Sequence, residues 1–122
     1  MNQVKQNDVS KLISDWKENQ QVIAAFFRER RFQEAKKPMI HFSKQLVKAL
    51  YELNNKSYQD DEDLNTVLAS FTYAPFNSQE RIPFILEQPH QYHSYIQLNE
   101  LYKETEKIYA KAVILQKKQE VD

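Results

Sequence analysis

Residues that could do chemistry gather in the stretch 76–98, and its two histidines suggest a metal site. His90 and His93 are one helical turn apart, so both imidazoles could share a helix face and bind one metal ion. Glu87 precedes His90 by three residues, which is the Glu-x-x-His spacing of carboxylate-bridged di-iron bundles. Pro89 interrupts that match, however, and the sequence has no second Glu-x-x-His pair. We therefore expect neither a metal nor another cofactor, and interpret both histidines as surface residues at a helix start.

A serine nucleophile is the next candidate, because Ser94 follows His93 directly. Neighbouring residues of a helix point about 100° apart, so this hydroxyl and imidazole cannot form the hydrogen bond that activates a serine. Cysteine is absent, which excludes thiolate catalysis and Cys-based metal sites. Glycine is absent too, so the chain has no P-loop, dinucleotide fingerprint or G-x-S-x-G elbow. We predict no catalytic residue and a protein that is not an enzyme.

The adjacent Glu80 and Arg81 have a functional and a structural interpretation. Arg81 could bind an anion. Alternatively, Asn77 and Glu80 have the spacing of an N-cap residue and its reciprocal partner in a capping box. Arg81 could then hold Glu100 or Glu104 of the last helix in a two-bond fork. We favour the structural interpretation because the region is rich in acid: a structural corner of Asn77, Glu80, Arg81 and Glu104 that joins two helices.

Basic residues form a candidate interaction patch in the first half of the chain. It comprises Arg28, Arg30, Arg31, Lys36, Lys37, Lys44 and Lys48. Glu29 and Glu34 interrupt it, and no recognised DNA-binding motif frames it. The patch could bind nucleic acid or an acidic protein, but a solvated face with local ion pairs is the favoured interpretation.

Charge is balanced overall and segregated along the chain. The 17 basic and 17 acidic residues cancel, so no net field attracts nucleic acid or an anionic membrane. Residues 1–51 hold ten basic and five acidic residues, a net of +5, whereas residues 52–100 hold two and eight, a net of −6. The molecule could present opposite poles, or the two segments could pair in the fold.

Apolar periodicity predicts an all-α, single-domain bundle of four to five helices over residues 1–122, with an ordered core at roughly 9–118. The second and last helices should be the long antiparallel pair, and Tyr58, Tyr73 and Phe76 should lie in exposed loops. We predict a first helix at about 9–31 and a second from near Pro38 to Leu53, which Asn54-Asn55 ends. A short third helix should begin at about Leu64, and a fourth should cover about 78–87. The last helix should cover about 89–118, with Pro89 in its first turn.

Nothing in the sequence indicates export or a membrane. The first residues lack an apolar stretch of signal-peptide length, and the longest charge-free window is too short and polar to span a bilayer. We expect a cytoplasmic protein with no membrane partner.

Two stretches, ALYELN and APFNSQERIPFILEQPHQYHSYIQLNELYKE, carry a family resemblance. The chain resembles the YpoC-like proteins of low-GC Gram-positive bacteria over roughly residues 14–115. The residues that match the family's pattern are Asn54, Pro75, Asn77, Glu80, Arg81, Pro89, Tyr92, Gln97, Leu98, Leu101 and Glu104. The resemblance implies a small helical cytoplasmic protein from an uncharacterised family, and it carries over no activity, cofactor or catalytic residue.

Family members tend to be encoded near replication-initiation and base-excision repair proteins, so the resemblance points by association toward DNA metabolism. Our leading interpretation is a non-enzymatic protein–protein interaction module with an unknown protein partner. The alternative is a nucleic-acid-binding accessory protein linked to replication or repair, and an enzyme of unknown class is third.

Overall fold

The computed structural model describes the backbone of residues 6–121 and the side chains of residues 8–119. Five helices make up most of this range, and it contains no strand. They are α1 Gln6–Arg28, α2 Phe32–Leu53, α3 Leu64–Ser70, α4 Ser78–Glu87 and α5 Tyr92–Val121. The predicted all-α class and helix number are confirmed. Of the predicted domain, residues 1–5 and 122 lie outside the described residues.

The first helix packs one apolar face against its neighbours. Its buried side chains recur at steps of three, four and seven, as an amphipathic helix requires. They are Val9, Ile13, Trp16, Ile23 and Phe27. Removing this face from water is the main source of stability for α1, since burying one large apolar side chain contributes about 1.5–3 kcal/mol.

Within residues 6–121, three residues adopt the left-handed conformation that glycine usually takes, at φ values of 57 to 60°: Arg30, Asn55 and Asn77. Arg30 ends α1 in a Schellman motif, in which the Arg31 N–H donates to the Phe26 carbonyl at 2.7 Å. The Arg30 N–H donates to the Phe27 carbonyl at 3.1 Å. Asn55 ends α2 in the same way, which confirms the predicted end of that helix.

Pro38 lies in the second turn of α2, so the predicted start of this helix is wrong. The helix begins at Phe32, six residues earlier. Because proline has no N–H, the carbonyl of Glu34 loses its usual partner four residues on. Ala35 and Met39 flank the proline and are fully buried, so packing holds this turn helical despite the missing hydrogen bond.

α1 runs antiparallel to both α2 and α5, and these two helices therefore run in the same direction. Phe27, near the end of α1, contacts Phe32 at the start of α2 and Tyr92 at the start of α5, with ring centroids 6.2 and 5.9 Å apart. Further along, Tyr102 of α5 donates its hydroxyl to the carbonyl of Phe42 in α2 at 2.6 Å. The predicted antiparallel arrangement of the second and last helices is wrong, because α3 and α4 carry the chain back to the end where α2 began.

Trp16 is the centre of the core and is 1% exposed. Its ring stacks on Tyr102, with centroids 4.9 Å apart, and Phe42 meets it edge-on at 5.5 Å. The indole N–H donates to the side-chain oxygen of Asn99 at 3.1 Å. Burial raises the pKa of Tyr102 far above its usual value, so its hydroxyl remains a donor. One side chain of α1 thus joins α2 and α5.

Side-chain hydrogen bonds hold the chain between the end of α2 and the residues that follow α3. Asn54 pairs with the backbone of Tyr73, donating to its carbonyl at 2.8 Å and accepting from its N–H at 2.9 Å. Asp63 caps α3 by accepting from the N–H of Thr66 at 3.1 Å. The negative charge of this carboxylate also interacts favourably with the positive end of the helix dipole.

α4 has the predicted bounds and tolerates Pro83 inside it. Pro89 is buried three residues before α5, so the prediction that it occupies the first turn of the last helix is wrong. Instead, the buried Ser94 donates its hydroxyl to the Gln88 carbonyl at 2.6 Å. This bond ties the short connection to the first turn of α5.

Candidate functional site

Arg81 is the centre of the corner between α4 and α5. Its guanidinium donates to both carboxylate oxygens of Glu104, at 2.9 and 2.7 Å. Its Nε donates to the side-chain oxygen of Gln97 at 2.9 Å, and one terminal nitrogen donates to the Phe76 carbonyl at 2.9 Å. The pair is partly buried, with Arg81 20% and Glu104 36% exposed. The hydrogen bonds to Glu104 raise the pKa of Arg81 further, so the guanidinium stays charged.

α5 can offer both partners because Gln97 and Glu104 are two helical turns apart and share one face. Glu100 is exposed and lies 3.8 Å from Lys103, so the structure selects Glu104 of the two carboxylates considered for Arg81. The expected contact between Arg81 and the last helix is therefore present.

Asn77 does not cap α4 with its side chain, so the capping-box prediction is wrong. It stands at the N-cap position with φ 58° and ψ 29°, and its side chain forms no capping hydrogen bond. Glu80 is exposed. The turn is closed instead by Ser78, which donates both its N–H and its hydroxyl to the Pro75 carbonyl, at 3.2 and 2.5 Å. Asparagine suits this position because it tolerates a positive φ, and not because its side chain caps the helix.

Replacing Asn77 by alanine should lower the free energy of unfolding by about 1 kcal/mol, because alanine disfavours the left-handed conformation. Replacing it by glycine should leave stability unchanged or raise it slightly, since glycine adopts positive φ at no steric cost. Urea denaturation of the two variants provides the measurement. Equal losses in both would mean that the asparagine side chain matters and the backbone conformation does not.

The corner presents an exposed phenylalanine. The Phe76 side chain is 81% exposed, the largest exposed fraction among the large apolar side chains of the described residues. Its backbone, in contrast, is held on both sides by the buried Pro75 and Ser78 and by Arg81 at its own carbonyl. The exposure predicted for Phe76 is confirmed, and the structure adds that this residue is held in place.

The other two aromatic residues predicted in exposed loops differ from each other. Tyr73 is 36% exposed, as expected. Tyr58 is half-buried, so the prediction of exposure is wrong for it. Its ring packs edge-on against Tyr51 at 5.2 Å, and the ammonium group of Lys48 lies 5.2 Å from its centroid. Tyr58 does lie in a loop, as predicted, but its ring folds back onto α2.

The seven residues of the basic patch fall into three groups. Arg31 is neutralised by ion pairs with Glu29 and Glu34. The second group lies close to acid: Lys44 lines a cleft with Asp60 and Glu62, and Lys48 lines another with Asp15 and Glu52. The third group is exposed and has no ion-pair partner among the described side chains: Arg28, Arg30, Lys36 and Lys37. Charge segregation along the sequence is thus partly cancelled within the fold and partly left at the α1–α2 turn.

The two clefts beside Tyr58 have volumes of about 280 and 160 Å³. The larger lies between α1 and α2 and the smaller lies beneath the acidic loop before α3. Both are smaller than a typical small-molecule pocket, and lysines and carboxylates share their lining. We therefore place the candidate site at the corner and not in these clefts.

The histidines and Ser94 do not form a reactive cluster. His90 precedes α5 while His93 lies in its first turn, 5.7 Å from the ring of Phe84. The Ser94 hydroxyl is engaged with the backbone. Within residues 8–119, the acidic and imidazole side chains form no group of three that could hold a metal ion.

A family model described as YpoC-like protein matches residues 6–117. The chain belongs to the YpoC-like family. The match covers nearly the whole YpoC-like chain, including all four residues named for the corner. Neither the curated proteins nor the solved structures contain a significant match. None of the helices in the described part of this YpoC-like protein is long and apolar enough to cross a membrane.

Sequence reasoning missed two parts of the YpoC-like corner. Gln97 was noted only as part of the family pattern, although it holds Arg81 Nε. The Phe76 carbonyl was missed because a backbone acceptor leaves no signal in residue types. The side-chain spacing of Gln97 and Glu104 could have indicated a shared face, since they are seven residues apart.

Proposed function

We propose that this protein is a non-enzymatic protein-interaction module that presents Phe76 to a partner. The observation that supports this proposal is an 81% exposed phenylalanine on a firmly held backbone. Single exposed apolar residues are common on protein surfaces. Phe76 differs because its carbonyl, its neighbours and the left-handed Asn77 all fix its position.

A fixed aromatic side chain suits binding for an energetic reason. Association must overcome the entropy lost when interface side chains and loops become ordered. At this corner the loop is already ordered by Arg81 and Ser78, so only the phenyl ring has freedom to lose. A few buried aromatic anchors usually supply most of the binding energy of an interface.

The surroundings of Phe76 indicate the chemistry of the partner. Glu80 is exposed four residues after Phe76, and the Arg81 charge is already paired with Glu104. The exposed charge nearest to Phe76 in the sequence is therefore acidic. We propose a partner protein with an apolar pocket for the phenyl ring and lysine or arginine side chains at its edge.

Affinity purification from the native cell with Phe76→Ala tests this proposal. We expect at least one captured protein to fall more than tenfold relative to the unsubstituted chain, since anchor residues contribute about 2 kcal/mol or more. Leu115→Ala is the matched control, because Leu115 is 50% exposed on α5 and away from the corner. The same protein should be weakened by Glu80→Lys and retained by the control. Identical captured sets from Phe76→Ala and the unsubstituted chain would contradict the proposal.

The alternative function, nucleic-acid binding, concerns a different part of the molecule. It depends on the exposed cations at the α1–α2 turn, which lie at the end of α1 and the start of α2 rather than at the corner.

A further inference from the structure

The end of the molecule where α1 stops and α2 and α5 begin carries aromatic and basic side chains together. We call this the basic-aromatic surface, defined by Arg28, Arg30, Phe32, Lys36 and Tyr92. Phe32 is 39% and Tyr92 56% exposed, and the three cations are exposed as well. The sequence indicated only the cations of this surface, because Tyr92 is distant from them in the chain and reaches this end of the molecule only in the folded protein.

The two aromatic rings share one buried neighbour. Phe32 and Tyr92 both pack against the buried Phe27, with centroid distances of 6.2 and 5.9 Å. Tyr92 is also stacked on Tyr95 at 6.0 Å, which supports its ring from behind. Two rings with exposed area at the same end of the molecule can each accept one flat ligand group of the same chain molecule.

Three exposed cations lie in the same stretch of chain as Phe32. Lys36 is one helical turn from Phe32, Arg28 is the last residue of α1, and Arg30 lies in the connection between them. Among the described side chains, none of the three has an ion-pair partner. Lys44 and Lys48, in contrast, face acidic groups along the same helix.

Arg30 supplies an independent observation. It occupies the left-handed position that ends α1, at φ 60°, whereas the same position at the end of α2 is occupied by Asn55. Asparagine tolerates this conformation and arginine does not, so the arginine is a poor choice for the backbone. Strain of this kind concentrates at functional sites. The backbone conformation of Arg30 therefore supports a functional role for its side chain.

We infer that the basic-aromatic surface binds single-stranded nucleic acid, with bases stacked on Phe32 and Tyr92 and phosphates contacted by Arg28, Arg30 and Lys36. Aromatic platforms bordered by cations are the usual means of binding a single strand. A duplex hides its base faces, so Phe32 and Tyr92 would contribute nothing to it. This site is separate from Phe76 and does not depend on the proposed protein interaction.

Fluorescence anisotropy with a labelled oligothymidylate, measured over a series of salt concentrations, tests the inference on the full chain. We expect binding at low salt that weakens steeply with ionic strength, with a slope reduced by about 2 in the variant Arg28→Gln/Arg30→Gln/Lys36→Gln, since each phosphate contact on a single strand contributes about 0.7. Lys44→Gln/Lys48→Gln is the control on the acid-facing side of α2, and it should change the slope little.

Two further variants distinguish the contribution of base stacking from that of charge, and an effect on oligonucleotide binding from an effect on stability. Tyr92→Ala should weaken binding about fivefold or more while the salt slope is kept, because stacking on one aromatic residue is worth that much or more. Arg30→Gly should raise the urea midpoint and weaken oligonucleotide binding at the same time, whereas a purely structural arginine would change only the midpoint. Phe76→Ala should bind the oligonucleotide normally, which keeps this test independent of the protein interaction.

Three results would overturn the inference. The first is no measurable binding at low salt. The second is binding of a duplex as tight as that of the single strand with no effect of Tyr92→Ala, which would leave only charge attraction. The third is equal competition by polyglutamate, which would assign the surface to an acidic protein segment instead.

Discussion

Replacement of Trp16 by alanine is expected to lower the free energy of unfolding by about 3–5 kcal/mol. The side chain is 1% exposed and touches α2 through Phe42 and α5 through Tyr102 and Asn99. Its removal leaves a cavity at the point where three helices meet and strands the Asn99 side chain without its indole donor. A domain of this size is stable by about 5–15 kcal/mol, so the loss is a large share of the total.

Guanidinium denaturation followed by circular dichroism gives the measurement for Trp16→Ala. Trp16→Phe is the control, because it keeps an aromatic ring while losing the hydrogen bond to Asn99 and part of the volume. It should cost clearly less than alanine. A loss below about 1 kcal/mol for Trp16→Ala would show that the site collapses freely, and that Trp16 does not hold the three helices together.

Replacement of Arg81 by alanine should cost about 2–3 kcal/mol. Breaking a buried ion pair costs about 3–5 kcal/mol, and an exposed pair contributes less than about 1 kcal/mol. Arg81 is 20% and Glu104 36% exposed, so the pair lies between these limits. The loss also removes the donors to Gln97 and to the Phe76 carbonyl. We expect the loop that carries Phe76 to become mobile in the variant.

A double-mutant cycle isolates the Arg81–Glu104 interaction from the other contacts of the arginine. Arg81→Ala, Glu104→Ala and the double variant should give a coupling energy of about 1–2 kcal/mol in urea denaturation. Arg81→Lys keeps the charge but cannot reproduce the planar fork, so it should recover only part of the stability. Additive single losses would mean that Glu104 and Arg81 stabilise the protein separately and that the corner has another basis.

The sequence predicted the helices whose ends carry a strong local signal. Asn55 ends α2 in the left-handed conformation, Asp63 begins α3, and α4 has the predicted bounds. In these cases the residue type alone favours the backbone geometry found there. Pro38 did not mark the start of α2, because proline is found both in the first turn of helices and, less often, inside them. Burial of the residues around Pro38 keeps this part of the chain helical.

The direction of α5 relative to α2 could not be predicted from the sequence. It depends on how α3 and α4 return the chain, and apolar periodicity has no information about that path. The corner was found from Arg81 and the acid around it, but the reason given for Asn77 was wrong. The sequence indicated only the cations of the basic-aromatic surface, since Tyr92 approaches Phe27, the neighbour of Arg28, only after folding.

The position of Trp16 has a consequence for the time course of synthesis. Its partner Asn99 lies 83 residues later in the chain. At roughly 5–20 residues per second, the ribosome needs on the order of ten seconds to supply it. α1 and α2 can form their hairpin far sooner, because local helical contacts form within microseconds to milliseconds. During that interval the face of the indole that Tyr102 covers in the complete fold lacks its partner and stays open to water.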